Sequence, residues 1–354
     1  MKENSILFSP ITLGNLTLKN RIAMAPMTRT QAKNNIPTED MISYYDRRAK
    51  GGTALIISEG TFVNHEVANG NFDAPAFYGD ALIMWKKLVD KVHASGAKIM
   101  PQLWHAGNTR KLGVSPNENM LSIGPMNEYI EGKQTVRAMS QNDIDEVIKA
   151  FTKAVLDAKE LNFDGVELLA AHGYLIDQFF WEKTNQRTDK YGGSFTNRLR
   201  FASELVKSIK KAVGKDFPVV FRFSQWKTGY YDAKIAKNKE ELKELLLSLV
   251  EAGVDIFHVS ERRFWMPAFK ESPLTLAAYV KKITNKPVIT VGNIGLDEDL
   301  ETIKLVEKKL QDNEFDMVAV GRALLADANW VNKIKDNRIS EIIPFNEDCL
   351  KVLY

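Results

Sequence analysis

The chain has one cysteine, Cys349, in 354 residues. A lone thiol cannot close an internal disulfide, and it cannot supply the several thiolates that an iron–sulfur cluster needs. No run is long and apolar enough to read as a membrane span. The opening residues, Met1-Lys2-Glu3-Asn4, lack the apolar core of a secretory leader. The cytoplasm is therefore the expected location, with no membrane partner. No dense block of Lys or Arg occurs and the formal net charge is only +3, so nucleic acid is not an expected partner either. His and carboxylate residues do not cluster at metal-ligand spacing, so no metal is expected and a metallohydrolase is unsupported. There is no Pro/Ser-rich linker, no internal repeat and no break in composition. The length would serve two average domains or one large α/β barrel, and this continuity favours one domain over residues 1–354.

Eight short apolar runs, at 22–25, 54–58, 99–104, 165–169, 219–223, 256–260, 288–291 and 317–320, recur along the chain. Most are bounded by Gly, Pro, Asp or Asn, as strands of a buried parallel sheet are. Longer amphipathic stretches separate them. Ser140-Gln141-Asn142-Asp143 opens one with a capping-box pattern, its apolar residues follow helical spacing, and Asn162 can end it in a left-handed turn. Residues 197–213, 239–252 and 296–308 read as further helices. Eight strands alternating with helices predict a single (β/α)8 TIM barrel. The segment 105–138 is too long for a simple loop and is expected to form an excursion after the third strand.

Chemistry in such a barrel sits on the loops after the strands. None of the strand ends carries a Lys, which leaves a Schiff-base aldolase unsupported. The last two strands close with Gly292-Asn293 and Gly321-Arg322. Barrels often bind phosphate there, and a guanidinium matches phosphate oxygens bidentately. The plainer reading of those residues is a tight turn and a surface Arg. Gln102 and Arg222, on two other strands, could face the same mouth and read the pyrimidine edge of a flavin. Either residue alone is equally well a structural one.

The runs Leu18-Lys19-Asn20-Arg21-Ile22, Ala25-Pro26-Met27-Thr28-Arg29, Ser58-Glu59-Gly60-Thr61 and Gln102-Leu103-Trp104-His105-Ala106-Gly107 resemble those of the Old Yellow Enzyme family. The resemblance continues through Ala171-His172-Gly173-Tyr174-Leu175-Ile176-Asp177-Gln178-Phe179, Asn185-Gln186-Arg187-Thr188-Asp189-Lys190-Tyr191-Gly192-Gly193-Ser194 and Asn197-Arg198. It ends with Val291-Gly292-Asn293 and Val320-Gly321-Arg322-Ala323-Leu324-Leu325-Ala326-Asp327. The match runs in order along nearly the whole chain.

That resemblance implies FMN across the barrel mouth, NADH or NADPH as hydride donor, and hydride transfer to an electrophilic small molecule such as an α,β-unsaturated carbonyl. By position, Pro26, Met27, Thr28, Gly60, Gln102 and Arg222 resemble the ring-binding set. Gly292, Asn293, Gly321 and Arg322 resemble the phosphate set. Tyr174 resembles the proton donor, a role that suits a phenol of pKa about 10. Trp104, Leu169 and His172 fall at substrate-binding positions, with His172 also catalytic. Oligomeric state differs within the family, so a homo-oligomer stays open.

The chain departs from the family at Leu169, where a second hydrogen-bond donor to the substrate oxygen is usual. A Leu side chain cannot donate, and losing one donor to a developing oxyanion costs about 3 kcal/mol. The enzyme then reduces alkenes with His172 alone, prefers quinones or nitro compounds, or recruits His105 at the end of the third strand. A flavin-binding protein without efficient alkene chemistry is the alternative that Leu169 sustains. A flavin-free phosphate-binding lyase or isomerase is a third reading.

Overall fold

The computed structural model describes residues 5–297 and 300–354. Strands β1 (Ile22–Met24), β2 (Leu55–Phe62), β3 (Lys98–Trp104), β4 (Val166–His172), β5 (Val219–Lys227), β6 (Ile256–Ser260), β7 (Val288–Val291) and β8 (Met317–Val320) close into a parallel barrel in sequence order. These are the eight apolar runs, and the expected TIM barrel is the observed fold. Strands β2, β4 and β5 run beyond their apolar segments. In β2 and β5 the register shifts, between Ile57 and Gly60 and between Phe223 and Lys227. Irregularities of this kind carry polar residues past the end of an apolar run and re-aim the side chains there.

Because side chains alternate across a strand, the sheet divides the apolar residues into two cores. Val220, Ile256, Ile289, Met317, Ala319, Ala23, Leu55, Ile57 and Met100 form one cluster together with Leu13, Leu16 and Leu18. The last three come from an antiparallel hairpin, Ile11–Leu13 with Leu16–Leu18, that the sequence patterning did not reveal. Each of its strands is only three residues long, too short for periodicity to show. The outer core packs the opposite strand faces against the helices, with Trp85, Phe151, Phe201, Leu246 and Trp330 fully buried.

Helix ends follow the sequence signals closely. Ser140 and Asp143 form a reciprocal capping box on Gln141–Glu160, and Asn162 follows that helix at φ 70°. The helix expected at 296–308 is observed as Glu301–Gln311 instead. Asp297 accepts a hydrogen bond from the Thr302 backbone N–H, and Leu300 is left-handed at φ 52°, which delays the start. Residues 298 and 299 of that expectation lie outside the described residues. The expected excursion contains a three-stranded sheet, Ser122–Gly124, Glu128–Ile130 and Lys133–Ala138.

Glu59, buried at the mouth end of β2, shapes the loop after β1. Its Oε2 accepts the backbone N–H groups of Arg29 at 2.9 Å and Thr30 at 3.1 Å. Arg29 in turn donates to the carbonyls of Cys349, Leu350 and Val352, tying that loop to the last residues of the chain. Burial pushes the Glu59 carboxyl up to about 7, against the two backbone N–H bonds and Arg29, which favour the charged form. The folded chain thus keeps a proton that the unfolded chain, with a carboxyl near 4.5, has lost. The resulting stability is full below the unfolded value and is lost as pH rises through 7. The unfolding free energy is expected to fall between about pH 5 and about pH 7.5, by at most roughly 1.4 kcal/mol per pH unit. Chemical denaturation of Glu59→Gln should show a flatter profile over that range; an unchanged slope would assign the effect to another group.

Candidate active site

At the C-terminal mouth the loops enclose a cavity of about 820 Å³, and a smaller chamber of about 90 Å³ shares part of its wall. Pro26, His172 and Arg222 line both. Met27, Gly292, Asn293, Gly321 and Arg322 line the larger one. Thr28, Gly60, Gln102, Trp104, Leu169 and Tyr174 line the smaller one. The cofactor-binding, substrate-binding and catalytic candidates, His105 apart, therefore reach two adjoining chambers, although they come from all parts of the chain.

The wall between the chambers is built on a buried polar group. Glu167 on β4 is fully buried. Its Oε1 accepts from Gln102 Nε2 at 2.7 Å, and its Oε2 lies 2.6 Å from His258 Nδ1. Arg222 Nη1 is 3.8 Å from Glu167 Oε1, and Arg222 Nη2 donates to Ser260 Oγ at 3.3 Å. Burial penalises the Glu167 charge, but His258, Arg222 and Gln102 together outweigh it and hold the carboxyl below its ordinary value. Burial first, and Arg222 after it, depress His258 despite the attraction of Glu167. Glu167 is thus the anion, and neutral His258 donates to it. A buried charge is tolerated only when it is paired and hydrogen-bonded in this way.

The turn after β4 carries His172 and Tyr174. His172 is left-handed at φ 64° and Gly173 follows at φ 92°. Asp177 Oδ2 accepts the Gly173 N–H at 2.6 Å, while Asp177 Oδ1 accepts from Lys227 Nζ at 2.7 Å in a fully buried ion pair. Gln178 Nε2 adds a bond to the Gly173 carbonyl at 2.7 Å. These contacts fix where the two functional side chains emerge. His172 stacks on Trp226 at 4.4 Å, and its Nε2 shares a hydrogen bond with Ser260 Oγ at 2.9 Å. Burial, then the charges of Arg222 and Lys227, hold the imidazole neutral, far below its usual range. Tyr174 meets Trp104 edge to face at 5.4 Å, and burial raises its phenol pKa, so the hydroxyl keeps its proton at neutral pH.

At the other end, Asn293 sits left-handed at φ 59° after β7 and accepts from Arg322 Nη2 at 3.0 Å, joining the last two loops. A Cβ at Gly292 would lie 2.5 Å from the Glu261 carbonyl oxygen, a backbone atom that cannot swing away. Only glycine lets β7 pass the β6 loop here.

One residue, His105, differs from its sequence-based candidacy. His105 does not reach the cavity. It is buried, its Nδ1 accepts the Gly107 N–H at 3.0 Å, and its Nε2 faces His65 Nδ1 at 3.1 Å. It therefore cannot stand in for the donor missing at position 169. Leu169 does line the smaller chamber, and brings no polar atom to it. Glu167, His258 and Trp226 had no part in the sequence reading. The available signal was a charged residue inside an apolar strand, two positions before Leu169 and therefore on the same face.

Buried polar atoms around the cavity that lack a hydrogen-bond partner include Arg222 Nε, Trp104 Nε1, His258 Nε2 and Glu261 Oε2. Buried donors are rarely left unmatched, so the Arg222 and Trp104 N–H groups point to a polar ligand. An FMN-sized group fits this donor set, with amide and guanidinium at one end and Asn293 and Arg322 at the other.

Comparison with known proteins agrees with this geometry. The family model described as the NADH:flavin oxidoreductase / NADH oxidase family matches residues 6–341. An NADH oxidase of Thermoanaerobacter brockii is 39% identical over 97% of this chain and 53% of its own length, so the chain spans about half of that relative. The structure of morphinone reductase in complex with tetrahydroNAD superposes with a TM-score of 0.84 at 27% identity, over 98% of this chain and 94% of the other. The Old Yellow Enzyme from Pichia sp. AKU4542 gives 0.85 at 26% identity, over 98% and 90%. With the family model spanning nearly all of the chain and the barrel shared throughout, the chain belongs to the NADH:flavin oxidoreductase / NADH oxidase family.

Proposed function

We propose that the chain is an FMN-dependent oxidoreductase that takes hydride from NADH or NADPH and passes it to an electrophilic small molecule. The convergence of Gln102, Arg222, His172 and Tyr174, from three separate stretches of chain, on the adjoining chambers at the mouth carries this reading. Gln102 and Arg222 would hold the ring edge with Pro26, Met27, Thr28 and Gly60 around it, and Gly292, Asn293, Gly321 and Arg322 would hold the phosphate. FMN, when bound, supplies the hydride relay. The protein then has three tasks: to orient the acceptor, to stabilise charge as it develops, and to deliver a proton.

Tyr174 Oη is the proposed proton donor, since burial keeps it protonated and Trp104 fixes its ring. Neutral His172 is the proposed hydrogen-bond donor to the acceptor's oxygen, its ring orientation set by Trp226 and Ser260. Trp104 and Leu169 shape the remaining wall. With Leu169 apolar and His105 turned away, His172 works alone. That arrangement favours acceptors needing little polarisation, quinones and nitro compounds, over simple enones. No helix among the described residues is long and apolar enough to cross a membrane. A lone cysteine suits a reducing compartment, so the cytoplasm is the proposed location.

Purified protein should be yellow and should release FMN on denaturation. Colourless protein that takes up no added FMN would overturn the proposal. Tyr174→Phe should slow reoxidation of the reduced enzyme by an enone, by on the order of a hundredfold, while reduction by nicotinamide stays unchanged in stopped-flow traces; equal loss in both half-reactions would remove Tyr174 from proton delivery. Leu169→His should raise enone turnover by up to about a hundredfold. Steady-state rates no higher than wild type, with FMN still bound, would show that the missing donor is not what limits the reaction.

A further inference from the structure

Resting on the flavin reading above, we infer that Glu167 is a positioning residue that also sets the flavin's reduction potential: one buried carboxylate aims Gln102 and Arg222 into the cavity and holds a compensating negative charge against the guanidinium.

The geometry separates Glu167 from the residues that would touch the ring. It lines neither chamber, yet two proposed ring-binding side chains are fastened to it. Gln102 spends an amide N–H on Glu167 Oε1, which leaves its own carbonyl oxygen beside Gly60, where an added Cβ would lie 3.4 Å from it. Arg222 is held loosely on the same oxygen at 3.8 Å and on Ser260, so its Nε, buried and without a partner, is left for a ligand. His258 occupies the second carboxylate oxygen at 2.6 Å. The register places Gln102 opposite Glu167, and Arg222 opposite both Leu169 and His258, so the set spans four neighbouring strands. Apolar residues of the barrel interior, Val220 and Ile256, precede Arg222 and His258 by two positions on the same strand faces. The polar layer therefore rests on a packed floor that gives it little freedom to shift.

The electrostatic consequence follows from the sign of each group. Reduction adds negative charge to a flavin ring, and a guanidinium beside the ring favours that change. A carboxylate 3.8 Å from the same guanidinium cancels part of its field. In a buried site the cancellation is screened far less than in water. His258, held neutral, does not restore the positive charge. Glu167 thus keeps the oxidised form more favoured than Gln102 and Arg222 alone would. A purely structural Glu167 would hold the side chains and leave the potential alone.

Two variants separate charge from position. Glu167→Gln keeps the length and a carbonyl acceptor for Gln102 but removes the charge. Its bound FMN should show a midpoint potential raised by ~30 mV or more, equal to a tenfold stabilisation of the two-electron reduced form. Glu167→Asp keeps the charge but withdraws it by one methylene. Its potential should stay at the wild-type value while FMN binding, followed by fluorescence quenching of the free flavin, weakens about tenfold. Dye-equilibration potentials on the three FMN-loaded proteins decide the matter. A wild-type potential in Glu167→Gln, or equal shifts in both variants, would overturn the inference and leave the flavin reading standing. Wild-type protein that binds no FMN would overturn the flavin reading, and this inference with it. Should Glu167→Gln fail to fold, Glu167→Met, which removes the charge at similar length, takes its place: a raised potential supports the inference, and a wild-type potential overturns it.

Discussion

A carboxylate enclosed in a barrel must find cations or donors for both of its oxygens, and at Glu167 this requirement organises the mouth. Its two oxygens are met by Gln102 and His258, with Arg222 within reach. None of these could be exchanged for an apolar residue without leaving charge or hydrogen-bonding capacity stranded. The pairing also fixes which groups face the cavity, because a donor spent on Glu167 is no longer offered to a ligand. Below this layer the barrel interior is wholly apolar, filled by Val220, Ile256, Ile289, Met317 and Met100, with the hairpin Ile11–Leu18 contributing to the same cluster.

The loops at the mouth are held by a second set of polar contacts, one of them a buried ion pair. Asp177 and Lys227 join the turn after β4 to the end of β5, and Asp177 also accepts the N–H of Gly173. Glu59 accepts two N–H groups of the loop after β1, and Arg29 from that loop binds carbonyls near the end of the chain. Arg322 and Asn293 bridge the last two loops. Loops are usually the mobile part of a barrel. Here each one that presents a site residue has an ionic or charge-assisted anchor, which suits a site whose groups must meet a planar ligand at fixed positions.

The chain spans about half the length of the Thermoanaerobacter brockii relative, and among the described residues the barrel closes on itself. Leu169 brings an apolar side chain to the wall of the smaller chamber. It sits in register with Arg222 and is packed into the core, so the position is filled by apolar contact and brings no donor to the chamber.

The sequence by itself pointed to the barrel, because eight short apolar runs, bounded by turn residues and alternating with amphipathic stretches, read as strands of an enclosed parallel sheet. It also named the side chains at the cavity, since strand ends map to the mouth and the motif around His172 and Tyr174 spans nine consecutive residues. Helix caps at Ser140 and Asn162 were equally legible, being local hydrogen-bond chemistry. Only the tertiary structure decided the partners of those side chains. Glu167 and His258 lie 91 residues apart and meet only when β4, β5 and β6 align. His105 looked free to serve the site until folding turned its ring toward His65. The three-residue strands near the N-terminus carry no readable period, and their place against the barrel interior is fixed by long-range apolar packing alone. Local pattern encodes the element and its ends, whereas direction and charge state depend on neighbours that the chain order does not place side by side.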